Sequence, residues 1–292
     1  MKRKVLRVGN ASLAVSLPNK WVRQYGVLAG QELEIFDSGN CLQIGAALQH
    51  ASGVVEITVP SVADFSRRLV FSSYIKGNDE IIVRSEDSQV LSKAVDAAVS
   101  MLGFDALVID ESHVILKNIA KTIDDDFDAY FRRLVYTVRL MGKLLNEAMA
   151  QGRMDCLDDL LRLELLSNKL SMFCKRMLNL DVSMDRTVLT PRYVLLVQLE
   201  QVCDAYRDIG IVLSKRFDTS LEAKLFVERA VFLVDYFCSH YKKADVAMIS
   251  ALRKEVKDLK RSVLETDLTT PTAVLIYTIA DIIDTAAMDA IE

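Results

Sequence analysis

A change of apolar periodicity near residue 120 limits what this chain can fold into more than any other feature. Before it, apolar residues come in short runs such as "KVLRV", "SLAVSL", "ELEIF" and "VVEITV", broken by Gly, Pro and Asn. These read as strands with intervening turns. After it, apolar residues recur every three or four positions, which predicts helices near 124–151, 154–179, 189–216, 219–241, 243–265 and 272–290. The breaks fall at Gly152, "DVSMDRTVLTP", "FDTS" and "DLTTP". Amphipathic helices of this length call for bundle packing. At 292 residues, 51% hydrophobic and 26% charged, the chain is globular and long enough for two or three cores.

The strand-rich part divides in two. Residues 1–48 place "KVLRV" and "SLAVSL" around a turn at Gly9-Asn10. Pro18 stops the second strand, Asn19 is placed to cap a short helix through Tyr25, and Gly26 suits a left-handed end to it. "ELEIF" and "CLQI" follow, joined by a turn at Asp37-Ser38-Gly39-Asn40. A unit of under about fifty residues, with neither metal nor disulfide evident, rarely folds alone, so this head is expected to dimerise. Residues 53–120 read β-α-β-α-β-β, with Val90, Ala94, Val95, Ala98 and Leu102 on one helical stripe closed by Gly103. That order describes a small α/β domain.

The helical part, 124–292, contains a repeat. "TPRYVLLVQLEQVCDAY" from Thr190 aligns without a gap with "TPTAVLIYTIADIIDTA" from Thr270, matching Thr190/Thr270, Pro191/Pro271, Val194/Val274, Leu195/Leu275 and Asp204/Asp284. Two related three-helix bundles in tandem, 124–216 and 219–292, are the expectation.

Charge is unevenly placed. The formal net charge is −4, yet the first thirty residues hold six basic side chains and no acid: Lys2, Arg3, Lys4, Arg7, Lys20 and Arg23. A local cationic surface on a small fold suits contacts with the phosphates of double-stranded DNA. Lys2, Arg3 and Lys4 precede the first strand as an arm, Arg7 alternates with apolar neighbours, and Lys20 and Arg23 share a helix face. Asn10 sits at the turn, where it either contacts DNA or simply makes the turn. The plain alternative for the whole stretch is a solvated N-terminus.

In the helical part the notable residues are acidic. Glu200 and Asp204 are four apart on one helix face, Asp208 extends the line by a turn, and Asp281 and Asp284 lie three apart in the second repeat. Carboxylates on facing bundle helices can hold iron, manganese, magnesium or zinc. The alternative is an acidic stripe paired with lysines such as Lys175 and Lys215. The acids of Asp124-Asp125-Asp126-Phe127-Asp128 suit the positive end of the first long helix, or else a metal or inter-domain contact.

Catalysis is not expected. The sequence has no glycine-rich phosphate loop, no HExxH, no nucleophile elbow and no Cys/His pair at useful spacing. His50, His113 and His240 read as surface or cap residues. Cys41, Cys156, Cys174, Cys203 and Cys238 are far apart and form no CxxC pair, which fits a reducing cytoplasm. No apolar run reaches eighteen residues and no secretory signal is read, so a cytoplasmic chain without membrane insertion is expected.

The segment "RKVLRVGNASLAVSLPNKWVRQYGVLAGQELEIF...LQI", with Ser16-Leu17-Pro18 and the glycines Gly26 and Gly30, resembles the AbrB/SpoVT/MazE swapped-hairpin DNA-binding domain. The helical part resembles the PhoU fold, whose members carry E-x-x-x-D in the third helix of each bundle. Glu200-Gln201-Val202-Cys203-Asp204 matches that signature, while in the second copy Ala280 takes the glutamate position, next to Asp281 and with Asp284 kept. "RRLVFSSYIKGNDEIIV" and "AVSMLGFDALVIDES" look like the linker domain of archaeal PhoU-like proteins, which combine such a head with such a body. The resemblance implies a multidomain α+β chain: an N-terminal swapped-hairpin β-barrel head, a small α/β middle domain and an all-α C-terminal body of two tandem three-helix bundles. It implies a homodimer through the head, DNA contacts from the basic residues, and a metal cluster at the E-x-x-x-D segment. It implies a cytoplasmic archaeal transcriptional regulator of phosphate uptake or phosphate homeostasis, whose body senses a metal, ligand or protein signal. The rival from another class is an adaptor that does not bind DNA and acts on a phosphate transporter or kinase by protein contact.

Overall fold

A computed structural model describes residues 2–9, 12–37, 41–46, 53–65, 67–120, 126–151, 156–181, 184–215, 220–266 and 270–289. The chain divides into two compact units, Met1–Ser52 and Gly53–Glu292.

In the first unit the short apolar runs form hairpins. β1 (Val5–Val8) and β2 (Ser12–Val15) pair antiparallel, Val5 opposite Val15 and Val8 opposite Ser12. Gly9 leaves β1 at φ +67°, a left-handed conformation that favours glycine. α1 (Asn19–Gln24) starts after Pro18, which takes the cap position expected of Asn19. Proline fixes φ there and its carbonyl accepts the Val22 N–H at 3.0 Å, so Asn19 becomes the first helical residue. β3 (Leu33–Asp37) and β4 (Leu42–Ala46) form the second hairpin, Leu33 opposite Ala46.

The β-barrel implied for this head is not formed. Each hairpin is its own two-stranded sheet. The ladder stops at β2 and resumes only at β3, beyond α1, and four strands of four or five residues in separate pairs stay small and open. The composite AbrB/SpoVT–PhoU fold, with its DNA-binding barrel, is therefore not what this chain adopts. No described residue of the unit is buried. Leu13 and Leu28 are 72% and 74% exposed, and a two-stranded hairpin open on both faces is marginal by itself.

The second unit contains two cores. β5 (Gly53–Thr58), α2 (Arg67–Ile75), β6 (Asn78–Arg84), α3 (Ser88–Val99), β7 (Phe104–Asp110) and β8 (His113–Asn118) build a sheet of order β5-β6-β8-β7. β5 and β6 run parallel, the other pairs antiparallel. The Asp87 carboxylate starts α3 by accepting the Gln89 N–H at 2.9 Å. Val90, Ala94 and Ala98 of α3 are buried with Ile81, Val83, Val114 and Leu116 of the sheet.

α4 (Phe127–Gln151), α5 (Leu157–Leu180), α6 (Arg186–Lys215), α7 (Leu221–His240), α8 (Val246–Leu264) and α9 (Thr270–Asp289) share the larger core. Asp126 caps α4 by accepting the Ala129 N–H at 3.0 Å. Asp124 and Asp125 lie outside the described residues. α6 begins earlier than Pro191 suggested, because Asp185 accepts the Thr187 N–H at 2.7 Å and leaves the proline inside the helix. α4, α5 and α6 pack on one another, as do α7, α8 and α9; α4 meets α7 and α6 meets α9. Among the described residues, Pro271–Met288 is long and apolar enough to cross a membrane by length and composition. A core helix passes the same test, and this one packs on α6, α7 and α8.

α5 joins the two cores. Arg176, 4% exposed, donates to the carbonyls of Tyr74 at 2.7 Å and Asn78 at 2.8 Å and to the Asp79 carboxylate at 2.6 Å. Its guanidinium also lies over the rings of Tyr74 and Phe104. Lys169 donates to the Val99 carbonyl and Asn179 to the Ile75 carbonyl, each at 2.8 Å. These side chains occupy carbonyls at the C-terminal ends of α2 and α3, where the helix dipole favours a cation.

Candidate functional site

Two charged regions came out of the sequence, and the structure treats them differently. In the first unit Lys2, Arg3, Lys4, Arg7, Lys20 and Arg23 are all exposed. Arg7 stands in β1, and Lys20 and Arg23 lie on α1. Asn10 lies outside the described residues. Residues 1–52 hold these six basic side chains against three acids, Glu32, Glu34 and Asp37. Such a surface attracts a polyanion without needing a pocket.

Of the body's singled-out acids, Glu200, Asp204, Asp208 and Asp284 are half-buried and ion-paired, while Asp281 is ion-paired but exposed. One face of α5 carries Glu164, Ser167, Ser171 and Lys175, all buried, at spacings of three and four. That face meets α6. Lys175 donates to Glu200 at 2.5 Å, and Ser171 donates to the same oxygen at 2.8 Å. Further along, Arg207 reaches Glu164 at 2.8 Å, Asp204 at 2.7 Å and Asp208 at 2.9 Å. Burial raises the Asp204 pKa, Arg207 opposes that, and the nearby Glu164 and Glu200 carboxylates push it up further. Burial alone would depress the Arg207 guanidinium, but the bonds to Asp208, Asp204 and Glu164 hold it above the ordinary arginine range. In the second repeat, Asp284 accepts from Arg253 at 2.7 Å and Asp281 from Lys260 at 2.5 Å, both donors coming from α8.

An open groove of about 420 Å³ runs between α6 and α9, with Asp204, Asp208 and Asp281 among its lining residues alongside Gln201, Tyr277 and Thr278. The donor set suits ion pairs better than a metal. Glu200, Asp204, Asp208, Asp281 and Asp284 each bond to a lysine or arginine. Among the described residues no group of three or more His, Cys, Asp or Glu is placed to hold an ion. Lys175 pairs with Glu200, as the lysine alternative foresaw; Arg207, Arg253 and Lys260 were not singled out. An arginine three residues after Asp204 was the one local hint.

The remaining chemistry-bearing residues are structural in position. Cys174, Cys203 and Cys238 are buried thiols whose pKa burial pushes up to about 12. His113 opens β8, His240 ends α7 with Nδ1 2.8 Å from the Tyr236 carbonyl, and His50 lies outside the described residues. Comparison with protein families, curated proteins and solved structures finds no match to this chain.

Proposed function

We propose that this protein is a DNA-binding transcriptional regulator. The exposed basic surface of the first unit contacts the phosphates of double-stranded DNA, and the helical body receives the signal. The observation that carries this reading is the charge on a unit with no core of its own. Three of the six exposed cations precede β1, Arg7 stands in β1, and Lys20 and Arg23 lie on α1, in a unit in which no described residue is buried. A second copy seated on the exposed Leu13, Leu28, Ile35 and Leu42 would supply the missing core and double the cationic surface. Binding then rests mainly on released counterions, with sequence preference added by a few base contacts.

Phosphate uptake or homeostasis is the process in which the sequence resemblance would place the target genes. Selection of bound genomic fragments with and without phosphate tests binding, targets and signal together. Enrichment of a few loci that changes with phosphate supports the regulator. Failure to retain any fragment at low salt leaves the non-DNA-binding adaptor as the better account.

A further inference from the structure

Two neighbouring helices of the body present an outward face that their own packing does not use. α4 and α7 lie side by side and antiparallel. Arg139 donates to Asp235 at 2.6 Å, and a Cβ added to Gly142 would come within 2.9 Å of Val231 Cγ1. On the outer side stand Tyr136, 65% exposed, Phe232, 62%, and Leu225, 51%. Phe232 stacks on Tyr236 with ring centroids 6.1 Å apart. α7 is already anchored from behind by buried Val227, Ala230, Val231 and Val234, so these outward side chains add nothing to the core. Exposed aromatics gathered in this way mark contact surfaces.

The same face is bipolar. Helical spacing puts Arg132, Arg139 and Lys143 of α4 beside the seam, and Glu228 and Asp235 of α7 across it. Arg139 and Asp235 answer each other and Arg132 is near Asp126 at 3.7 Å, so Lys143 on one side and Glu228 on the other carry the complementarity. Lys143 reaches Glu147 of its own helix only loosely, at 3.7 Å, and stays 71% exposed. A partner of uniform charge would match one strip and repel the other. A surface positive along one side and negative along the other is complementary to itself when turned over. We propose that this face binds a second copy of the chain about a twofold axis running along the helices. Such an axis lays α4 of one copy on α7 of the other at the same level. The Arg139–Asp235 and Gly142–Val231 contacts set that level, so Lys143 meets Glu228 and Phe232 of the second copy, and Tyr136, two turns along α4, faces the stretch near its Tyr236. This contact is separate from any made by the first unit.

Photo-cross-linking in the full-length chain tests it. Benzoylphenylalanine at position 136 is mixed with isotope-labelled unmodified chain, and cross-linked peptides are identified by mass. The expected product joins the probe to residues 221–240 of the other copy. Phe232→Glu and Lys143→Glu should each lower its yield severalfold with the circular dichroism unchanged, and adding Glu228→Lys to Lys143→Glu should recover it. An intermolecular product that is absent, that falls elsewhere, or that ignores both single substitutions overturns the proposal. A head dimer can bring two bodies together by proximity alone, but a cross-link made that way would not depend on Phe232 and Lys143 or be recovered by the Glu228→Lys charge swap.

Discussion

The head and the body use charge in opposite ways, and burial is what separates them. In the head every described side chain is at least partly exposed, and six cations face solvent beside three acids. In the body the acids are drawn into a seam where Lys175, Arg207, Arg253 and Lys260 answer them across helices. Exposed charge contributes little to stability and stays available for a partner. Half-buried charge is committed to the fold, because a desolvated ion needs its counter-ion. The head's cations are therefore available for the polyanion contact proposed above, while the acidic stripe is answered within the fold.

The contrast can be broken most forcefully at Arg176. Arg176→Ala removes three hydrogen bonds and the counter-charge of Asp79, which keeps only its bond from Asn118, so a loss of about 3–5 kcal/mol is expected in urea denaturation. A loss below about 1 kcal/mol would mean the joint is not held by this residue. Leu134→Ala, in the body core, should cost about 2–5 kcal/mol. Leu13→Ala on β2 sharpens the comparison: in an isolated head it should cost under about 0.5 kcal/mol, whereas a covered head dimer raises it toward core values. At the seam the effect should be asymmetric. Glu200→Gln leaves the buried Lys175 ammonium without its counter-charge and should destabilise more than Lys175→Met, which removes the charge itself; equal losses would contradict the pairing.

Thiol chemistry gives a smaller, cleaner readout. Cys41 is exposed, while burial pushes the Cys174, Cys203 and Cys238 thiols up to about 12. Those three should resist a thiol reagent at pH 8 until the chain unfolds, and fast labelling of any of them would show the core to be open. The smallest effect concerns pH. Burial raises the Asp204 pKa from its ordinary value, with Arg207 opposing, so its contribution favours the fold below the unfolded pKa and is lost as pH rises through the raised value. Asp204→Asn should flatten this decline slightly, since the side chain is partly solvated; an unaltered stability profile between about pH 3 and pH 6 would argue against the shift.

Helices were legible because their cause is local. A three-to-four-residue apolar repeat placed α4 to α9 within a few residues of their observed ends. The β-α-β-α-β-β order of residues 53–120 was legible for the same reason. Of the ion-pair partners only Lys175 was, and Arg207, Arg253 and Lys260 were not. Arg253 and Lys260 lie on a different helix from Asp284 and Asp281, and the polar α5 face from Glu164 to Lys175 gives no local signal of its burial in the sequence. Only the packing of α6 on α5 shows it to be buried. The head misled in another way. Its strands occur where the residues indicated, and the turns at Asn10 and at Ser38-Gly39-Asn40 lie outside the described residues; closure into a barrel depends on pairing between β2 and β3, which no local pattern specifies.

The assignment of DNA contact to the head is tested most directly by titrating the full-length chain and its Lys20→Ala/Arg23→Ala form with duplex DNA across a range of salt. Loss of these cations should weaken binding and flatten the dependence of log affinity on log salt by about 0.9 for each phosphate contact removed. A folded variant with unchanged affinity and unchanged salt slope would contradict the assignment.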